Sequence, residues 1–120
     1  MATVKVVNQT RRVTLAEQCE VARSFLARGR GLLGRATLPD GSGLLIEPCS
    51  SVHMLFMHFP IDVIFVDRQG QVVALYPSLP PWRLYAGHRR ARYALELPVG
   101  VIAASSTAVG DQIAVLPAQS

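Results

Sequence analysis

Between Gly43 and Asp67, in GLLIEPCSSVHMLFMHFPIDVIFVD, a thiol, two imidazoles, a thioether and a carboxylate interrupt an otherwise apolar stretch. Such groups are costly to bury unpaired, so Cys49, His53, Met57, His58 and Asp62 either have structural partners or line a site. Cys49 with His53, or His58 with Asp62, offers soft or borderline ligands to zinc or copper. Cys49 beside either histidine, with Asp62 orienting the base, is the inventory of a thiolate nucleophile. The structural alternative is imidazoles bonded to backbone, with thiol and thioether filling the core.

Strand parity sorts these side chains. If Val52 to Val66 is extended, His53 and Met57 share one face, while His58 and Asp62 share the other, unless Pro60 resets the register with a bulge. Residues four apart on a strand stand about 13 Å from one another. Each ligand pair therefore needs a third element between its members, and the structural alternative is favoured over a metal. No GxSxG, Walker loop, HExxH or CxxC motif is present to anchor another chemistry.

The elements that must position these groups read as mainly β. Thr3 to Val7 and Val13 to Ala16 alternate as strands about an Asn8-Gln9-Thr10 turn, and Glu20 to Ala22 extends the second. Ser24 can cap a short helix through Phe25, Leu26, Leu32 and Leu33, weakened by Gly29 and Gly31. Leu44 to Glu47, Val52 to Phe59, Val63 to Val66, Val72 to Tyr76 and Tyr93 to Leu97 are further strands. Asp67-Arg68-Gln69-Gly70 forms a tight hairpin. Pro77 to Ala91 reads as a long loop, Val101 to Ala104 as a helical turn, and Gln112 to Leu116 as a closing strand after a Gly110-Asp111 turn.

The 120 residues, 50% hydrophobic and 17% charged, suit one globular domain over residues 1–120 that needs neither metal nor disulfide to fold. Cys19 and Cys49 are expected as free thiols. With no signal peptide and no apolar run approaching the ~20 residues of a membrane span, the chain reads as soluble and cytoplasmic. The net charge of +4 comes from eleven arginines and Lys5 against eight acidic residues. Arginines cluster at 28, 30 and 35 and again at 83, 89, 90 and 92, but aromatic residues are only 7% of the chain. That favours a solvated face over a nucleic-acid partner.

Several short motifs in fixed order carry a family resemblance: Arg30-Gly31-Leu32-Leu33-Gly34-Arg35, Gly43-Leu44-Leu45, His53, Phe56-Met57, Pro60-Ile61-Asp62-Val63-Ile64-Phe65, Leu95-Glu96-Leu97-Pro98-Val99-Gly100 and Gly110-Asp111. From about Val21 to Leu116 the chain resembles the small prokaryotic family called domain of unknown function 192. The resemblance implies an antiparallel β-sandwich or jelly-roll-like barrel with one short helix near the N-terminal third, and no established activity or cofactor. It maps onto Arg35, Met57, Asp62, Glu96 and Asp111, with His53 belonging to a short form that lacks the Trp-Met-Lys-Asn segment of many members.

The expected function is thus a non-enzymatic binding or interaction domain for a small ligand or protein partner. Its shallow polar site would lie around His53 and Asp62 with Arg35, Met57 and Glu96 nearby. The alternative is a metal protein or small hydrolase using Cys49, His53, His58 and Asp62. Glu96, between Leu95 and Leu97, should turn away from the leucines toward solvent or an arginine such as Arg35. Asp62, between Ile61 and Val63, needs an arginine or several hydrogen-bond donors.

Overall fold

The computed structural model describes residues 2–24, 28, 32, 35, 37–54 and 57–118. In chain order the strands are β1 (Thr3–Asn8), β2 (Val13–Ala22), β3 (Ser42–Ile46), β4 (Ser51–Val52), β5 (Ile61–Val66), β6 (Val72–Leu79), β7 (Ala86–Gly87), β8 (Tyr93–Leu97) and β9 (Ile113–Pro117). A helix, α1 (Val101–Ser105), lies between β8 and β9. Of the helix expected from Ser24 to Leu33, only Ser24, Arg28 and Leu32 are described, and Arg28 N–H donates to Ser24 O at 2.9 Å. The rest of it lies outside the described residues.

Seven strands form a single sheet in the order β6-β5-β8-β3-β2-β1-β9, and β4 pairs separately with β7. Every residue of β5 and β8 is buried, which their β-branched and apolar runs (IDVIFV, YALEL) foreshadow for strands covered on both faces. One face contributes Ile64, Val66, Tyr93, Leu95 and Leu97 to a core shared with Val6, Leu15 and Ile102. The other contributes Ile61, Val63, Phe65 and Ala94 to a second core with Leu32, Leu38, Met54 and Met57.

The sheet curls until its two edge strands meet at one end. Gln71 bridges Gln112, Val72 N–H donates to Asp111 O at 2.9 Å, and Ile113 N–H donates to Gly70 O at 2.7 Å. Such closure satisfies edge groups that would otherwise be open to another chain. The curl therefore takes the place of two stacked sheets. Asp111 secures the seam, its Oδ2 accepting from Asn8 Nδ2, Arg11 Nε and Ala108 N–H at 2.9 to 3.0 Å. Burial alone would raise this carboxyl's pKa, but the bonds from Arg11, Asn8 and Ala108 outweigh it and hold the pKa below the ordinary value.

Three local differences from expectation have physical causes. β2 and β3 pair in parallel, which is possible because residues 23–41 are long enough for a crossover. β6 runs through Pro77, tolerated on an edge strand, where Ile61 faces Leu79 but Val63 faces Tyr76, so β6 carries an extra residue around Ser78. The strand expected from Val52 to Phe59 ends at Val52. Met54 then bonds to the 80s loop, accepting from Trp82 N–H and donating to Arg83 O, both at 2.7 Å. Leu55 and Phe56 lie outside the described residues. The parity that placed His53 with Met57, and His58 with Asp62, does not hold without a continuous strand.

Asp62 is 1% exposed and accepts three backbone hydrogen bonds: from Ser78 at 2.9 Å, Gly100 at 3.2 Å and Ile102 at 2.9 Å. The β6 bulge holds Ser78 at φ 50°, and its N–H reaches the carboxylate from there. Asp62→Asn replaces one acceptor oxygen by an NH₂ that confronts these donors. Charge-assisted bonds contribute about 1.5–3 kcal/mol each, so the variant should lose roughly 3 kcal/mol in urea denaturation at neutral pH. A change within about 0.5 kcal/mol, as for an ordinary surface substitution, would contradict this role.

Candidate functional site

Cross-strand partners share a face of a sheet, and this separates the two carboxylates expected to lie together. Asp62 stands opposite Leu97, whereas Glu96 stands opposite Val63 on β5 and Leu44 on β3. Asp62 therefore faces the inside of the curl, and Glu96 faces the second core. The Asp62 carboxylate is engaged by Ser78, Gly100 and Ile102, and no arginine is its partner among the described residues.

Glu96 is in a different situation. It is 6% exposed, and no hydrogen bond to its carboxyl occurs among the described residues, although the fully buried side-chain polar atom without a partner there is Arg28 Nε, not a Glu96 oxygen. Burial pushes its pKa up from 4.5 to about 7, against a downward pull from the Arg35 guanidinium. Arg35 itself donates Nη2 to Glu20 Oε2 at 3.0 Å, so its charge is shared with that second carboxylate. The result is a carboxyl poised between its acid and its base at neutral pH.

Cys49 is close enough to Glu96 and Arg28 for both charges to bias it. Burial raises its pKa, a backbone hydrogen bond at Ser51 lowers it, the Glu96 charge raises it and the Arg28 charge lowers it, with a net rise. Its Sγ donates to Ser51 O at 3.1 Å. Arg28 reaches the same neighbourhood, donating Nη1 to Pro48 O at 3.3 Å, while its buried Nε has no partner among the described residues. Arg28 was legible only as one of a cluster of basic residues, because nothing in its spacing points to Pro48 or Cys49.

The remaining expected residues are dispersed. Met57 is buried in the second core, and His53 and His58 are exposed. Among the described residues no three His, Cys, Asp or Glu side chains converge where they could hold a metal ion, so Cys49, His53, His58 and Asp62 do not form the alternative cluster. Cys19 and Cys49 are both free thiols. The raised Cys49 pKa is also the reverse of what a thiolate nucleophile needs.

Residues 5–115 match the sequence model of the family described as Uncharacterized ACR, domain of unknown function 192. The chain belongs to this family. It is 36% identical over 113 residues to a UPF0127 protein of Pyrococcus furiosus, covering 90% of this chain and 95% of that one. It is 32% identical over 113 residues to another from Pyrococcus abyssi, covering 90% and 94%. The fold is shared with a crystal structure of a protein of unknown function from Novosphingobium aromaticivorans, with TM-score 0.80 and 22% identity over 93% of this chain and 83% of that one. A second, from Sinorhizobium meliloti and described as a proposed transcription regulator, has TM-score 0.81 and 20% identity over 94% and 92%. At these identities the likeness establishes the fold alone. The relatives are prokaryotic, and neither the family description nor the relatives' names state an activity.

The raised Glu96 pKa sets the sign of a pH effect. Below the unfolded-state value of about 4.5 both states are protonated and the burial is free of charge; as pH rises the unfolded state ionises first, and folding becomes costlier until the folded value of about 7 is passed. Glu96→Gln removes this ionisation. The stability of the variant relative to wild type should therefore rise by about 3 kcal/mol between roughly pH 4 and pH 8, as 1.36 kcal/mol per pKa unit requires. Parallel urea-denaturation curves across that range would show that Glu96 is solvated or paired.

Proposed function

We propose that this chain is a binding domain that uses the Glu96 carboxyl, on the second-core face of the sheet, as the anchor for a ligand bearing an N–H donor or a cation. The reading is supported by Glu96 lying in a buried strand where burial raises its carboxyl pKa to about 7 and no hydrogen bond to it occurs among the described residues, while Asp62 and Asp111 are both bonded to donors that build the fold. Burial disfavours the ionised carboxylate, and a ligand that supplied a donor or a positive charge would offset that cost. Arg35, whose charge already acts on Glu96, would meet any acidic part of such a ligand. In this reading Asp62 serves the scaffold rather than the ligand. The protonated, hydrogen-bonded Cys49 thiol favours binding over covalent chemistry.

A ligand that donates to the ionised carboxylate would displace the Glu96 proton. Thermal-shift screening at pH 7 with amines, guanidines and amides should find compounds that stabilise wild type and bind Glu96→Gln at least about tenfold more weakly. Calorimetry in buffers of different ionisation enthalpy should show proton release on binding. A panel without hits, or hits that bind both proteins equally, would contradict the reading.

A further inference from the structure

Trp82, Leu84 and Tyr85 are 56%, 75% and 60% exposed, three large apolar side chains within four positions. Folding gains little from burying them, and yet the backbone presents them firmly. Trp82 occupies a left-handed conformation at φ 70°, a strained state for a bulky side chain. It is held there by the bond from its N–H to Met54 O at 2.7 Å, and Met54 N–H returns a bond to Arg83 O at 2.7 Å. Arg83 Nε donates to Tyr85 O at 3.1 Å. Immediately beyond, β7 pairs with β4, and Tyr76 Oη donates to Gly87 O at 2.8 Å while accepting from Gly87 N–H at 3.2 Å. A Cβ on Gly87 would meet Ser50 O at 2.5 Å, so only glycine permits this close approach. Strain held in place around exposed aromatic groups is the mark of a surface built to be used.

Charge points to what would cover it. From Arg68 to Leu95 the sequence has no acidic residue, while Arg83, Arg89 and Arg90 flank the exposed rings. Among the described residues none of these three arginines forms an ion pair; Arg92 alone of the group lies near a carboxylate, with Nε 3.7 Å from Glu47 Oε2. Trp, Tyr and Arg are the side chains that most often dominate binding energy between proteins. Leu84, the most exposed of the apolar three, offers no ring for base stacking and so favours a polypeptide over a nucleic acid.

We infer that Trp82, Leu84 and Tyr85, together with Arg83, Arg89 and Arg90, form a docking surface for a protein partner whose contacting segment is acidic and carries apolar side chains. This surface is independent of the Glu96 anchor.

Trp82 is the chain's one tryptophan, which makes it a reporter of contact. A random copolymer of glutamate and tyrosine, titrated at low salt into the full chain, should shift Trp82 emission saturably. Polyglutamate alone should bind at least about tenfold more weakly. Leu84→Ser should weaken copolymer binding with unchanged circular dichroism, because Leu84 is 75% exposed, and Arg89→Ala with Arg90→Ala should reduce the salt dependence of that binding. Failure of the copolymer to bind, equal binding by Leu84→Ser, or tighter binding of oligothymidylate than of the copolymer would overturn the proposal.

Discussion

One buried carboxylate organises the scaffold. Asp62 sits in a strand covered on both faces, and its two oxygens collect N–H groups from the β6 bulge and from the turn that starts α1. It thereby ties the bulged β5–β6 ladder to the turn that starts α1, which no ladder joins to it. The bulge, the positive φ of Ser78 and the direction taken after β8 all depend on an acceptor at this point. A hydrophobic residue would suit the strand but leave these donors unmatched in a dry interior, where each unmatched group costs about 1–3 kcal/mol.

Fixing β5 against β8 has a consequence on the opposite side. Once Asp62 faces Leu97, register places Glu96 beside Val63 and Leu44, among side chains that offer it no donor. The two acids are separated by the thickness of one sheet and differ in what surrounds them. One is matched by backbone N–H groups at 2.9 to 3.2 Å; the other feels burial foremost, with Arg35 only partly offsetting it. That contrast, rather than acidity as such, distinguishes a scaffold residue from a candidate ligand anchor. Chains only 20–22% identical share this architecture.

Much of the architecture was legible in the sequence wherever a local rule decided the outcome. The apolar runs of β5 and β8 marked covered strands, and Asp67 with Gly70 marked the hairpin, where Asp67 Oδ1 accepts from Gln69 and Gln71 N–H at 2.9 Å and Gly70 adopts φ 82°. That Asp62 would need an arginine or several donors was also legible, but not that the backbone of Ser78, Gly100 and Ile102 would supply them. What failed was inference across distance. Val52 to Phe59 alternates like a strand, but Met54 is claimed by the loop around Trp82 and Arg83, a contact no local pattern announces. The same limit hid the meeting of the Arg28 and Glu96 charges at Cys49, since no local pattern announces the parallel pairing of β2 with β3 on either side of Arg28. Alternation could turn Glu96 away from its leucines; it could not show that the other face is just as apolar.

Glu96 as a ligand anchor is tested most directly by a carbon-13 NMR titration of its side-chain carboxyl in the free protein. The expected midpoint is about 7, well above the ordinary 4.5. A midpoint at or below 4.5 would mean that the carboxylate is already paired or solvated, and would contradict its assignment as the anchor of a binding site.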